Sequence, residues 1–187
     1  MNGYLGPQTY GGRHKVFVCY YHREDQGYRV TFERHYGHLF IAKSVSPGDI
    51  DTDVSAEYIK RLIQYEYLED SSVLIVLIGP NTRGRKHVDW EISAALNMKV
   101  GGYSGLAGIL LPEFPLTSDN KYQYDAIPPR LADNVKTGYA MVYTWAWLCA
   151  DPQRVRDAIH AAYTARIGKA ELIDNSRLQM QRNTSGY

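Results

Sequence analysis

The hydrophobic residues of this chain are concentrated in five short runs, and the segments between the runs are amphipathic or polar. Runs rich in β-branched and aliphatic residues without helical spacing predict strands. The strongest run, Val73 to Ile78 (VLIVLI), is apolar without alternation, which is typical of a central parallel strand covered on both faces. The predicted strands are 15–19, 38–42, 73–78, 106–111 and 139–143.

Between the strands, apolar residues recur every three or four positions, which predicts helices. Asp25 is placed to cap the first helix, which runs to Tyr36, and Gly37 suits the C′ position after its end. Asp151 and Pro152 start the last helix as an N-cap acid and an N1 proline. The other helices are predicted at 58–67, after a polar loop at 44–55, and at 86–98; the last ends at 168, and 112–138 holds at most a short helix.

The alternation of strands and helices predicts an α/β fold, an open parallel sheet with helices on both faces. With five strands the expected order is 2-1-3-4-5, as in flavodoxin-like folds. We expect residues 1–13 to be a flexible lead-in and residues 14–168 to form one domain. Residues 169–187 are polar and are expected to trail away as a C-terminal tail.

Composition and charge narrow the class of protein. The 187 residues carry 21 Lys+Arg and 20 Asp+Glu, a net charge of +1, which argues against a protein that binds nucleic acid through its phosphates. The longest aliphatic run is far too short to span a membrane, and no basic stretch followed by an apolar one marks a signal peptide. Two cysteines form no disulfide framework. We therefore expect a cytoplasmic protein that binds neither membrane nor nucleic acid.

Tyrosine is unusually frequent, with 16 tyrosines against 4 phenylalanines. A tyrosine ring packs while its hydroxyl group stays in water, which suits contacts with a ligand or a partner. A simple compositional preference explains the number equally well, and both interpretations stay open.

Ligands of such sheets bind outside the carboxyl ends of the strands, where the strand order reverses. In the predicted order this crevice lies between the first and third strands. It is bounded by residues 20–25, residues 79–86 and the first turns of the helix that follows.

Glu91 is the most conspicuous polar residue near this crevice. It lies three residues after Val88 and four before Ala95, so it shares their apolar stripe. Burial would raise the pKa of its carboxyl group and the helix N-terminus would lower that pKa, and the sequence does not say which effect dominates. Glu91 is either a functional carboxylate or a structural one bonded to Arg83, Arg85 or backbone amides.

Basic residues and histidines give weaker signals. Arg83, Arg85 and Lys86 lie beside a helix N-terminus, which suits a phosphate or a pyrophosphate but is also typical of a solvated loop. His22 follows the first strand and is either a ligand contact or a surface residue. Because no cluster of metal-ligating residues is evident, we expect no metal.

Three segments resemble a known family: KVFVCYYHRED at 15–25, IAKSV at 41–45 and DSSVLIVLIGPNTRGRKHVDWEI at 70–92. They are similar to the TIR-like domain of the Thoeris antiphage system, the ThsB-type proteins. The resemblance covers about residues 14–112.

The resemblance implies a TIR fold and, for the enzymatic members, cleavage of NAD⁺ between nicotinamide and ribose. The glutamate that does this lies on the helix after the third strand, which corresponds to Glu91. NAD⁺ is then a substrate, and no cofactor is expected. The residues expected to contact the substrate are Tyr20, Tyr21, His22, Asp25, Arg83, Arg85 and His87.

The sequence departs from the family pattern at one position. Many TIR sequences have a tryptophan four residues before the glutamate, and here that residue is His87. One helical turn from Glu91, a histidine can hydrogen-bond the carboxylate or, when protonated, repel the positive nicotinamide ring.

Two functions follow from the resemblance. The first is an enzyme that responds to a phage-derived trigger, self-assembles with other TIR domains and makes a cyclic or modified ADP-ribose messenger for a separate effector protein. The second is a non-catalytic TIR module that assembles with like domains or a partner.

Overall fold

The structure is a computed structural model that describes residues 12–43, 71–98 and 102–184. A five-stranded sheet lies at its centre, and each pair of neighbouring strands is parallel. The strands are β1 (Lys15–Cys19), β2 (Ile41–Lys43), β3 (Val73–Ile78), β4 (Gly105–Leu110) and β5 (Met141–Thr144). Their order is β2-β1-β3-β4-β5, so the predicted α/β flavodoxin-like topology is confirmed.

Helices cover both faces of the sheet. The described helices are α1 (Gln26–Tyr36), α2 (Lys86–Ala95), α3 (Pro129–Lys136), α4 (Trp145–Leu148) and α5 (Pro152–Gly168). On one face, Val16 and Val18 of β1 pack with Phe32 of α1 and Ile159 of α5. The alternate strand residues, among them Phe17 and Cys19 of β1, face the other side of the sheet and pack with α2 and α3. All residues of β3 and β4 are buried, as both faces are covered.

The second strand is shorter and later than predicted. Residues Gly37–Leu39 form a 3-10 turn, and Gly37 has a right-handed φ of −59° instead of a C′ conformation that ends the helix. Leu39 and Phe40 are buried by this turn, so their apolar character reflects core packing rather than a strand. The strand begins at Ile41.

Other predicted boundaries also move. Helix α2 ends at Ala95, because the chain turns there and Met98 is exposed. Strand β5 begins at Met141, two residues late, since the Tyr139 hydroxyl group donates to the carbonyl of Ser104 in the core. The short helix α4 was absent from the prediction. The predicted helix at 58–67, the loop at 44–55 and residues 1–11 lie outside the described residues.

Residues 169–187 were expected to trail away, but the described part of this segment, up to residue 184, does not. It packs along α2 and α3, and we call residues 174–184 the C-terminal strap. The indole Nε1 of Trp90 donates to the Met180 carbonyl at 2.8 Å, and the Lys86 amide donates to Oδ1 of Asn183 at 2.9 Å. Sequence patterns miss this segment because polar hydrogen bonds, not an apolar stripe, attach it. In the part of the chain that the structure describes, none of the helices combines the length and apolar character that crossing a membrane requires.

Candidate functional site

The loops after β1 and β3 meet at the predicted crevice and hold each other in place. The carboxylate of Asp25 accepts a hydrogen bond from the Thr82 hydroxyl group at 2.9 Å, and that hydroxyl oxygen accepts one from the Gly79 amide, also at 2.9 Å. A Cβ atom on Gly79 would lie 2.4 Å from Oδ1 of Asp25, so the loops approach more closely than a side chain would permit. The amide group of Asn81 donates to Glu24 across the same gap.

Asp25 therefore has a different environment from the one expected. It stands at the N-cap position of α1 but makes no side-chain capping bond. Burial raises the pKa of its carboxyl group, and the hydrogen bond from Thr82 opposes that rise. Its side chain is buried and joins the two loops; whether it also contacts a substrate stays a prediction.

Glu91 lies in the second turn of α2, on the buried side of the helix, and only 2% of its surface is exposed. Burial raises the pKa of its carboxyl group to about 7, and a hydrogen bond from the Cys19 thiol at the end of β1 lowers it. Its Oε2 atom has no hydrogen-bond partner among the described residues. Of the structural partners considered for this carboxylate, which were Arg83, Arg85 and backbone amides, neither arginine bonds it.

His87 lies one helical turn before Glu91 and also has a buried atom without a partner, its Nε2. The hydrogen bond that the sequence suggested between the two side chains is absent. The imidazole packs against the Trp90 ring with centroids 5.1 Å apart. Burial lowers the pKa of His87, and the charges of Lys86 and His22 lower it further, so the imidazole is neutral at pH 7.

One aromatic pair and one cation–aromatic pair flank the crevice. The rings of Tyr20 and His22 stack with centroids 4.3 Å apart and an interplanar angle of 7°. Tyr20 is buried and donates through its hydroxyl group to Gln26, whereas His22 is exposed. The guanidinium group of Arg85 lies 4.2 Å from the ring centroid of Tyr21. Stacking of this kind fixes the direction of a cation.

The predicted basic residues are divided between two places. Arg85 is fixed on the β3 loop, where its Nε donates to the Asn81 carbonyl at 2.9 Å. Arg83 instead lines a separate cleft of about 470 Å³ beside α3, together with Tyr124 and Lys136, and Glu91 is not part of that cleft. The structure thus groups Glu91, His87, Tyr20 and His22 with Cys19, and directs Arg83 elsewhere.

The sequence did not indicate how α2 is anchored. Asp89 and Arg130 form a buried ion pair with 2.9 Å between Oδ1 and Nε, and the Met180 amide donates to the same carboxylate. Arg130 also donates to Oδ1 of Asn175 at 2.7 Å. Nothing in a single sequence pairs residues 41 positions apart. The one signal in the sequence was a second carboxylate, Asp89, two residues before Glu91 on a mostly apolar helix.

Cys19 was expected to be a buried hydrophobic residue, and it is buried. Its hydrogen bond to Glu91 was not predicted. The indole of Trp90, next to Glu91 in sequence, is held by the Met180 carbonyl of the C-terminal strap. No group of three or more metal-ligating side chains occurs within residues 12–43, 71–98 and 102–184.

Comparisons with known proteins agree with this arrangement. Residues 17–113 match the family described as Thoeris protein ThsB, TIR-like domain. The match covers a little more than half of the 187 residues and includes the last three residues of β1, all of β3 and α2, and Glu91. A search of the curated proteins finds no match. With its five-stranded parallel sheet and this matching region, the chain belongs to the ThsB TIR-like domain family of the Thoeris antiphage defence system.

Proposed function

We propose that this chain is an enzyme of antiphage defence that cleaves NAD⁺ between nicotinamide and ribose, with Glu91 as the catalytic residue. The observation that carries the proposal is the buried Glu91 carboxyl group with an unpartnered Oε2, one turn from the unpartnered Nε2 of His87. Buried polar atoms are nearly always hydrogen-bonded, and two exceptions at the crevice of an α/β sheet point to polar groups of a ligand.

The reaction needs negative charge beside the ribose. When the bond from the ribose C1′ to nicotinamide breaks, the electron pair goes to the ring nitrogen and nicotinamide leaves as a neutral molecule. The ribose that remains resembles an oxocarbenium ion, which a fixed carboxylate stabilises, as in glycosidases. The positive ring of bound NAD⁺ also favours the ionised carboxylate, so binding lowers the raised pKa of Glu91.

The surrounding side chains fit this substrate. A neutral His87 does not repel the nicotinamide cation, and its Nε2 atom is free to bond a carboxamide or a ribose hydroxyl group. The exposed ring of His22, held by stacking on the buried Tyr20, offers a flat surface to a base. Arg85, held over Tyr21, supplies a positive charge for the pyrophosphate.

The product depends on the nucleophile. Attack by water at C1′ gives ADP-ribose and a proton, whereas attack by a hydroxyl group or ring nitrogen of the same molecule gives a cyclic product. We assign the chain the second outcome or a related modification, which yields a messenger for a separate effector protein. Activation by a phage-derived trigger and TIR self-assembly belong to the same proposal. NAD⁺ is consumed as the substrate, and no further cofactor is invoked.

The test is nicotinamide release from NAD⁺ by the full chain, measured with an extract of phage-infected cells as the source of the trigger. Glu91→Gln keeps the size of the side chain but removes its charge, and we expect at least a ~100-fold loss of turnover. Glu113→Gln is the control, because Glu113 is exposed and, among the described residues, bonds only the Tyr28 hydroxyl group, so the turnover of this variant should stay within about twofold.

Binding distinguishes a loss of catalysis from a loss of fold. The Glu91→Gln protein should still be stabilised by NAD⁺ in a thermal denaturation experiment. If Glu91→Gln releases nicotinamide as fast as the unchanged protein, Glu91 is not the catalytic residue. If neither protein turns over or binds NAD⁺ but both self-assemble, the chain is a non-catalytic TIR module.

A further inference from the structure

A second cleft lies at the other end of β1 and plays no part in the proposed reaction. Its volume is about 290 Å³. The segment just before β1 forms one wall, the 3-10 turn after α1 forms another, and α5 closes the third side. The lining residues are Gly12, Arg13, His14, His38, Leu39, Arg156, Ile159 and His160.

The polar side chains of this cleft are all basic. Arg13 and Arg156 approach it from β1 and α5, and neither makes a hydrogen bond or an ion pair with another described residue. None of the described residues that line the cleft is a carboxylate. Asp157, the acid next to Arg156 in sequence, accepts a hydrogen bond from Gln153 at 2.8 Å. Among the residues that the structure describes, positive charge is therefore concentrated here without a lining carboxylate to balance it.

The histidines form a coupled pair at the base of the cleft. Nε2 of His14 lies 3.2 Å from Nδ1 of His160, a distance at which one nitrogen donates a hydrogen bond to the other. The His14 ring also stacks on Tyr163, with centroids 3.9 Å apart, and the guanidinium group of Arg166 lies 4.6 Å from the Tyr163 centroid. Burial lowers the pKa of His14, and the charges of His160 and Arg166 lower it further.

The cleft is separate from the crevice that contains Glu91. Strand β1 runs from the cleft towards Cys19, and its five residues span about 13 Å. Cys19 contacts Glu91 at the far end. A small ligand in the cleft thus cannot touch the reacting carboxylate.

We propose that this cleft is a binding site for the phosphate or pyrophosphate group of a small molecule. Guanidinium groups match phosphate oxygens with two parallel hydrogen bonds, and two of them on different walls of the cleft suit a multiply charged anion better than a single carboxylate. His38 and the His14–His160 pair add donors on the remaining side. The volume is sufficient for a phosphorylated headgroup of modest size.

Binding at this site is linked to protons. An anion beside the His14–His160 pair favours its protonated form, so affinity should rise as the pH falls from 8 to 6. The charged and titratable groups around the pair are Arg13 on the β1 side, His38 on the 3-10 turn, and Arg156, Tyr163 and Arg166 on α5. None of these groups is a carboxylate, so an incoming anion would be the negative charge beside the pair.

The test measures binding of inorganic pyrophosphate to the full chain by calorimetry and by the NMR signals of the histidine rings. We expect saturable binding that shifts the His14, His38 and His160 signals, and at least a fivefold loss of affinity in Arg156→Gln. Arg154→Gln is the matched control, because it removes the same charge from α5 at a residue whose guanidinium group lies over Trp147, outside the cleft. Its affinity should be unchanged.

Two further measurements show whether the pH dependence comes from the protein and whether the anion binds in this cleft. Sulfate keeps its charge between pH 6 and 8, so tighter sulfate binding at pH 6 than at pH 8 would come from protonation of the protein. Pyrophosphate bound at the crevice near Arg85 would leave the His14 and His160 signals unshifted, because these histidines lie before the start of β1 and the crevice lies beyond its end. The proposal is overturned if pyrophosphate does not saturate, if Arg154→Gln weakens its binding as much as Arg156→Gln, or if saturation leaves the His14 and His160 signals unshifted.

Discussion

The surroundings of Glu91 disfavour the charged form of its carboxyl group. It is almost completely buried, and burial raises its pKa to about 7, with the Cys19 thiol opposing the rise. A protein gains no stability from such a group, so its presence on an otherwise core-facing stripe is typical of a site that sacrifices stability for function. Both the rate of the proposed reaction and the stability of the fold should depend on its ionisation.

The pH dependence of nicotinamide release should report this group. Because the ionised carboxylate stabilises the transition state, kcat/KM should rise with pH and reach half of its maximum near pH 7. The value of kcat should reach half of its maximum at a lower pH than kcat/KM does, because the bound nicotinamide cation lowers the pKa of Glu91. His87→Gln should leave the rise of kcat/KM at the same pH, which would show that the rise reports Glu91 and not the imidazole of His87. A profile that is flat from pH 5 to 9 would contradict this assignment.

Folding stability should change with pH in the opposite direction. The folded state keeps the proton of Glu91 up to about pH 7, whereas the unfolded chain loses it near 4.5, so stability falls as the pH rises between these values. Glu91→Gln removes this penalty. We expect it to stabilise the protein by about 3 kcal/mol at most at pH 8 and by about 1 kcal/mol or less at pH 5.

Urea denaturation of both proteins at the two pH values measures this difference. Glu113→Gln, at an exposed position, should stay within about 0.5 kcal/mol of the unchanged protein at both values. An equal effect of Glu91→Gln at pH 5 and pH 8 would mean that the carboxyl group is not the source of the penalty.

At the scale of secondary structure, the sequence predicted central elements better than peripheral ones. β1 and β3 were predicted with the bounds that the structure gives, because their residues are apolar and covered on both faces. β2, at the edge of the sheet, was misplaced, since a buried turn and an edge strand have similar short apolar patterns. The C-terminal strap was missed because its contacts are hydrogen bonds between polar groups distant in sequence.

The Asp89–Arg130 ion pair anchors α2 to α3 and to the strap. Asp89→Asn would leave the buried Arg130 guanidinium group without its counter-charge, which should destabilise the protein by about 3–5 kcal/mol. Asp133→Asn removes the same charge from a pair with Arg177, whose side chain is 45% exposed, and should cost about 1 kcal/mol or less. Equal losses in denaturation experiments would show that burial of the pair has no special effect.

Gly84 lets the end of the strap approach the β3 loop. A Cβ atom there would lie 2.3 Å from the Thr184 carbonyl oxygen, so Gly84→Ala should displace the strap. Hydrogen exchange should then become faster at the amides of Thr184 and Lys86, which bond Gly84 and Asn183. Gly27→Ala, where a Cβ atom meets nothing, is the control. Unchanged exchange in Gly84→Ala would show that the strap is not held through this contact.

For the whole molecule, topology was predictable and the composition of the site only partly so. The alternation of strands and helices fixed where a crevice forms, and the spacing from Val88 placed Glu91 on the buried stripe. The partners of each side chain depend on how loops pack, which the sequence does not encode locally. Arg83 was therefore expected at the crevice but lines a cleft beside α3.

The most direct test of Glu91 as the catalytic residue uses cells that the unchanged protein protects from phage. Small molecules from infected and uninfected cells are analysed by mass spectrometry, beside cells that express Glu91→Gln at the same level. A species derived from ADP-ribose should appear only with infection and the unchanged protein, together with free nicotinamide, and Glu91→Gln should abolish both the species and protection. Protection that persists with Glu91→Gln, or without any such species, would contradict the account.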